Sequence, residues 1–219
     1  MHDVINNYKE IISSIDLRLK DQNIITPPKV IAVSKTFKLD KILPLIDYGH
    51  LDYGENKVQE AIEKWSDIRI TKTDLKLHLI GKLQTNKVKQ AIKIFDYIHS
   101  VDSEKLAKKI ADEEIRQNKK IKLFIQVNIG EEEQKSGINK NQLSDFYQFC
   151  KTLKLDVIGL MCIPPFEKDS RKYFEEMCVI SQSLNLNELS MGMSSDYLIA
   201  LDHSATYLRI GSSIFGNRD

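Results

Sequence analysis

A lysine, an arginine and two glycine-serine turns are the residues of this chain whose types and spacing point to chemistry. Lys35 follows the apolar run Val30-Ile31-Ala32-Val33-Ser34. At the carboxyl end of a barrel strand its amine would point into the mouth where such folds hold ligands. An unprotonated lysine condenses with an aldehyde or ketone, and a desolvated pocket or a neighbouring cation favours that form. The plainer reading of Lys35 is a solvated side chain among 32 basic residues.

The last two strand-like runs end in Gly192-Met193-Ser194-Ser195-Asp196 and Gly211-Ser212-Ser213. Phosphate sites in barrels commonly follow strands seven and eight. Glycine lets backbone N–H groups approach an anion, serine adds donors, and a helix starting at Ser195 would aim its positive end inward. Each charge-assisted hydrogen bond of this kind contributes about 1.5 to 3 kcal/mol. The alternative is an ordinary connector, with Ser194 capping a helix.

In Tyr207-Leu208-Arg209-Ile210-Gly211, strand alternation puts residues 207, 209 and 211 on one side, which turns Arg209 into the barrel lumen. A buried guanidinium must meet a carboxylate or a ligand acceptor, either as a structural salt bridge or at a site. Lysine for an aldehyde, arginine for a ring nitrogen and a Gly-Ser cradle for a phosphate together describe pyridoxal 5'-phosphate. Asn56 is a candidate donor to the ring hydroxyl or the phosphate, or else a helix cap. Glu55, His78, the run Gln84-Thr85-Asn86-Lys87 and Ser100-Val101-Asp102 also fall near predicted strand ends, where they could line the mouth.

The elements that must position these groups can be read from periodicity. Val4, Tyr8, Ile11, Ile12, Ile15 and Leu19 predict a helix from residue 3 to about 20, stopped by Thr26-Pro27-Pro28. Eight strands are predicted at 30–34, 51–54, 75–80, 97–101, 121–129, 157–162, 188–193 and 207–211. Helices are expected between them, including 56–66, 86–95, 104–118, 140–152 and 170–184. Asn56, Asn86, Ser103, Asn139 and Ser194 or Ser195 are the expected caps. Strand two is the weakest of the eight, and Pro44 interrupts the helix expected before it. Eight strand and helix units in 219 residues argue for one closed (β/α)8 barrel domain spanning 1–219 with an extra N-terminal helix. An open doubly wound sheet is the alternative, but no GxGxxG follows the first strand and no GxxxxGK[ST] occurs.

The formal charge is +1, from 32 basic and 31 acidic residues, and the lysines alternate with acids, so no nucleic-acid partner is expected. Cys150, Cys162 and Cys178 contain no CxxC pair, and their odd number fits a reducing compartment. No stretch approaches the ~20 apolar residues of a membrane span, and residues 1–7 do not read as a signal segment. A cytoplasmic protein without a membrane partner is expected. His2, His50, His78, His99 and His203 have no metal-ligand spacing, and no nucleophile elbow appears, so neither a metal nor nucleophilic hydrolysis is expected.

The segments Ala32-Val33-Ser34-Lys35-Thr36, 53–60 (Tyr-Gly-Glu-Asn-Lys-Val-Gln-Glu), 78–87 (His-Leu-Ile-Gly-Lys-Leu-Gln-Thr-Asn-Lys), Lys135-Ser136-Gly137, Gly159-Leu160-Met161, Ser190-Met191-Gly192-Met193-Ser194 and 209–216 resemble the pyridoxal phosphate homeostasis protein family. The seven motifs span almost the whole chain in order. The resemblance implies a barrel similar to the amino-terminal domain of bacterial alanine racemase, holding pyridoxal phosphate on a lysine Schiff base. It assigns that lysine to Lys35, the ring-nitrogen arginine to Arg209, the phosphate cradle to Ser194, Gly211 and Ser212, and a pocket asparagine to Asn56. Serine stands at 212 where the family often has threonine; Lys82 and Ser204 are the visible departures, and they bear on loop geometry.

An arginine at the ring nitrogen disfavours its protonation and so weakens the electron sink that carbanion chemistry needs. Racemisation also needs an acid or base on the opposite face, and eight residues follow Gly211, too few for a second domain. The expectation is therefore a protein that stores, delivers or buffers pyridoxal phosphate without robust turnover, with apo forms of pyridoxal phosphate enzymes as recipients. An amino-acid racemase or lyase using the same cofactor is the alternative. A class I aldolase would leave Arg209 without a purpose. Lys57, Lys82 and Lys87 are the candidates for a second lysine that assists release.

Overall fold

In the computed structural model, residues 3–22, 24–166 and 168–216 are described. His2 and both extremes of the expected 1–219 domain lie outside them. The order is α1 (Val4–Gln22), β1 (Lys29–Val33), α2 (Leu39–Asp47), β2 (Asp52–Glu55), α3 (Val58–Thr71), β3 (Lys76–Leu79), α4 (Val88–Ile94), β4 (Tyr97–Val101), α5 (Glu104–Gln117), β5 (Lys122–Val127), α6 (Leu143–Thr152), β6 (Asp156–Cys162), α7 (Arg171–Ser183), β7 (Glu188–Met193), α8 (Tyr197–Asp202), β8 (Tyr207–Ile210) and α9 (Ser212–Phe215). The eight strands are all parallel and close into one barrel in sequence order, β8 returning to β1 through Ile31 opposite Arg209. Each strand lies at the expected place, including the weak β2.

The strands are short runs of Val, Ile, Leu and aromatics because both of their faces are covered. Beyond its first residue β1 is buried throughout, and β4 is buried along its whole length. That continuous burial is what a parallel sheet wrapped by helices requires. Pro44 sits inside α2 rather than ending it. The helix tolerates the missing N–H because it is short and buries Ile42, Leu45 and Ile46 against the barrel.

Apolar packing falls into an outer layer between strands and helices and a smaller cluster inside the lumen. The inner cluster is Ile31, Tyr97, Phe124, Met161 and Tyr207. Burying one such side chain contributes roughly 1.5 to 3 kcal/mol, so the barrel is a packed core and not a channel. Helix α1 packs on α2, α8 and α9. It is tied there by the Arg18–Asp202 ion pair, with Nε to Oδ1 at 2.6 Å, and by Asn7 Nδ2 donating to the Ile214 carbonyl at 3.0 Å.

Of the expected caps, Ser103 alone acts through its side chain, accepting from Leu106 N at 3.4 Å. Asn56, Asn86 and Asn139 do not cap: α3 begins after Lys57, the turn Thr85–Lys87 after Gln84, and Asn139 makes no side-chain cap bond. Neither Ser194 nor Ser195 starts a helix, since α8 begins at Tyr197 after Asp196.

Glycine is required where β6 meets β7. A Cβ on Gly159 would lie 2.0 Å from the Glu188 carbonyl oxygen, which is backbone and cannot yield. Gly159→Ala should therefore force the two strands apart and destabilise the protein by about 1 to 3 kcal/mol or more, read as a fall in the thermal or urea midpoint.

Candidate functional site

At the carboxyl ends of the strands lies a cavity of about 820 Å³, lined by Lys35, Asn56, Ser194, Arg209, Gly211 and Ser212. All six expected site residues therefore meet in one place. Also on its wall are Lys82, Gln126, Asn128 and Lys135. His78, Ser100 and the other polar residues expected at the mouth do not line it. His78 is fully buried, because it points into the lumen below the cavity floor.

Lys35 is the second residue beyond β1, and the chain is held on both sides of it. Ser34 N donates to the Gly54 carbonyl at 3.0 Å and Ser34 Oγ to Glu55 Oε1 at 2.7 Å. Thr36 N donates to Glu60 Oε1 at 2.6 Å, with Thr36 in the left-handed region at φ 69°. Lys64 joins the two halves, its Nζ donating to the Ser34 carbonyl at 2.9 Å, to Glu55 Oε1 at 2.9 Å and to Glu60 Oε1 at 3.1 Å. Trp65 Nε1 adds a bond to Glu55 Oε1 at 3.0 Å. The residue that carries the amine is thus anchored by α3, and part of the signal was present in sequence as Glu60 and Lys64 four residues apart on that helix.

Arg209 enters the lumen as alternation predicts and is 5% exposed. The expectation of a carboxylate or a ligand as its first partner is corrected. Nη1 donates to the Ser190 carbonyl at 2.5 Å and to Ser190 Oγ at 2.7 Å, while Nη2 donates to the Cys162 carbonyl at 2.8 Å. Ser190 lies where the β7–β8 register slips, between Ser190 and Met193, and Cys162 ends β6. Burial lowers the guanidinium pKa, with nearby Cys162 and Asp196 opposing it, yet an arginine remains charged. Its remaining hydrogens are available to an acceptor in the cavity.

The loops after β7 and β8 come together as expected, by a different device. Gly211 N and Ser213 N each donate to Ser194 Oγ at 3.3 Å. Ser194 is therefore a bracket between two loops, and its own hydroxyl proton is left to donate. A Cβ on Gly211 would crowd Val33 at 3.2 Å, so the side-chain-free residue lets the last loop sit against the Lys35 strand. A Cβ on Gly81 would lie 2.4 Å from the Asn56 carbonyl, so the side-chain-free residue lets the segment after β3 sit against the Asn56 backbone at the cavity.

Gln126 and Asn128 were missed by the sequence reading. They are polar residues at alternate positions at the end of the apolar run Leu123-Phe124-Ile125, a pattern that marks inward-facing groups at a strand end. Asn128 Nδ2 donates to the Glu132 carbonyl at 3.0 Å and Gln126 Nε2 to the Ser136 carbonyl at 3.0 Å. These bonds fold residues 128–138 over so that Lys135 reaches the wall. Of the three lysines named as possible helpers, Lys82 alone lines the cavity.

Lysine, guanidinium and bracketed N–H groups on three sides of one cavity match an aldehyde-bearing aromatic ring with an anionic tail. The match is independent of any comparison.

A family model described as alanine racemase, N-terminal domain, matches residues 18–219. The pyridoxal phosphate homeostasis protein of Aquifex aeolicus (strain VF5) is 36% identical over 200 residues, 87% of each chain. That of Escherichia coli (strain K12) is 35% identical over 200 residues, covering 87% of this chain and 86% of its own. Among solved structures, PipY, the COG0325 family member of Synechococcus elongatus PCC7942, superposes with TM-scores of 0.83 without PLP and 0.81 with PLP bound. Its identity is 34%, and the match covers 92% of this chain and all of PipY. Alanine racemase of Clostridium difficile 630, 15% identical with a TM-score of 0.70 over 93% of this chain and 56% of its own, shares the fold.

Lys64→Met should leave the Glu55 carboxylate buried without its cation. A loss of roughly 3 to 5 kcal/mol in denaturant unfolding is expected, whereas an unchanged midpoint would show that the clamp around Lys35 does not depend on this ion pair.

Proposed function

The chain belongs to the pyridoxal phosphate homeostasis protein family, and on that premise we propose that it binds pyridoxal 5'-phosphate and serves intracellular homeostasis of that cofactor by storing, delivering or buffering it. The observation that carries the proposal is the convergence of Lys35, Arg209 and the Ser194 bracket on one cavity. When bound, pyridoxal phosphate supplies an aldehyde that condenses reversibly with an amine to a Schiff base, releasing water.

In this reading Lys35 Nζ is the amine. Arg209 offers the ring nitrogen a donor and no proton acceptor, so it favours the unprotonated ring. Ser194 Oγ, Gly211 and Ser212 hold the phosphate, and Asn56 meets the ring or its tail. Residues 1–219 are read as one cofactor-binding domain.

We further read the protein as a carrier without robust turnover. A donor-only contact to the ring nitrogen weakens the electron sink. Among the described residues that line the cavity there is no histidine, tyrosine or carboxylate, and the bases beside Lys35 are Lys82 and Lys135. Recipients are apo forms of pyridoxal phosphate enzymes, and the compartment is cytoplasmic. No described helix is long and apolar enough to cross a membrane.

Purified protein incubated with pyridoxal phosphate and reduced with borohydride should carry the cofactor on the peptide containing Lys35. Lys35→Ala should lose that adduct and bind at least about tenfold more weakly while retaining phosphate-anchored binding, since the Ser194 bracket does not involve the amine. An equal adduct in the variant would place the attachment elsewhere. Alanine and serine should not be racemised at enzyme-like rates in a chiral assay, and turnover at about 1 per second or faster would reverse the carrier reading.

A further inference from the structure

Below the cavity floor, an unbroken file of polar groups crosses the barrel. Arg209 Nη1 reaches Ser190 Oγ at 2.7 Å, Ser190 Oγ reaches His99 Nδ1 at 2.8 Å, His99 Nε2 reaches His78 Nδ1 at 3.0 Å, and His78 Nε2 reaches Asp52 Oδ1 at 3.0 Å. Ser190, His78 and His99 are completely buried. Asp52 is the first residue of β2, at the end of the barrel away from the cavity. The five residues come from five strands and lie far apart in sequence.

The ends of this file fix everything between them. Arginine has no acceptor, and an ionised aspartate has no donor. Burial lowers the pKa of both imidazoles, with Asp52 partly offsetting it at His78 and the charges of His78 and Arg209 adding to it at His99. Both shifts favour the neutral ring. For Asp52, burial raises the pKa, but the hydrogen bond and charge interaction with His78, followed by the charges of Lys29 and His50, outweigh it and the carboxyl ends below its usual value. With a carboxylate at one end, His78 must carry its proton on Nε2 and accept at Nδ1. His99 must then carry its proton on Nε2 as well and accept at Nδ1 from the Ser190 hydroxyl. Ser190 in turn accepts from Arg209. One proton arrangement satisfies every group, and all donors point from Arg209 toward Asp52.

The ring planes are fixed by packing. His78 stacks on Tyr97 with centroids 4.2 Å apart and His99 on Phe124 at 4.3 Å. Lys29 lies over both Tyr97 and Tyr207, at 5.6 and 5.3 Å from their ring centroids, beside the aspartate end.

We propose that Asp52, His78, His99 and Ser190 form a one-way hydrogen-bond relay that orients the Arg209 guanidinium from below, making Asp52 a positioning residue for the ring that Arg209 meets in the cavity. What Arg209 meets rests on the cofactor reading; the relay itself does not. A buried chain of this kind gains when complete and loses disproportionately when any member is removed. The aspartate and the serine do not touch, so independent effects on the cavity would simply add.

Two measurements test this. Nitrogen NMR of the cofactor-free protein labelled at histidine should show His78 and His99 as neutral rings protonated on Nε2. A proton on Nδ1 of either ring, or a cationic ring at neutral pH, overturns the relay whether or not the cofactor reading holds. In protein loaded with pyridoxal phosphate, Asp52→Asn keeps an acceptor for His78 but removes the charge, and Ser190→Ala removes the link to Arg209. Each should speed cofactor release roughly three- to tenfold, and the double variant should release no faster than the faster single one. Multiplying effects, or unchanged release in both singles, would count against the proposal, whereas a purely structural role would lower the melting temperature without that non-additivity. If Ser190→Ala does not fold, Asp52→Asn with the NMR measurement remains decisive. A wild-type protein that takes up no pyridoxal phosphate would refute the cofactor reading and leave the NMR arm standing.

Discussion

A guanidinium inside a barrel must have its hydrogens accepted on every side, and much of this molecule is arranged around that requirement. Arg209 cannot lose its charge, and an unpaired buried charge is far too costly to keep. The protein answers with two backbone carbonyls and one hydroxyl from β6 and β7. Because these acceptors are neutral, the cation is solvated without being cancelled. Its positive potential is left for the cavity, where a neutralising carboxylate beside it would have consumed it. The register slip in β7–β8 and the imidazole file beneath the cavity are consistent with this one constraint.

The amine on the other side of the cavity is handled in the opposite way. Its support is built around charges: Glu55, Glu60 and Lys64 form a compact ionic clamp on the residues flanking Lys35. Such a clamp positions the backbone from which the Lys35 side chain extends. A fixed arginine and a tethered amine facing each other suit reversible capture of a rigid aromatic aldehyde. They also fit a family whose relatives are named for cofactor homeostasis.

The fold was legible because burial on both faces gives parallel strands a distinctive composition, and all eight runs were identifiable from it. Ser103 capped as expected, but the other cap assignments failed for a physical reason. Asn56, Asn86 and Asn139 have several ways to satisfy a loop, and which one is used depends on partners that leave no local trace in the sequence. That the Gly-Ser loops after β7 and β8 meet at the cavity was legible from their positions after the last two strands. Their coupling through Ser194 Oγ was not, since both donors are backbone N–H groups. The same holds for Arg209, whose carbonyl acceptors are chemically identical at every residue. His78, His99, Ser190 and Asp52 belong together only once barrel closure sets the relative height of β2, β3, β4 and β7.

The N-terminal helix has a bearing on when such a protein becomes competent. Asn7 holds the carbonyl of Ile214, Arg18 holds Asp202, and β1 finds its second neighbour in β8. Residues of α1 and β1 are therefore the backing for the turn after β8. Contacts of such long sequence separation form late and together. A nascent chain that already displays Lys35 still lacks β8 and the loop after it, so the cavity is incomplete until translation has passed the eighth strand.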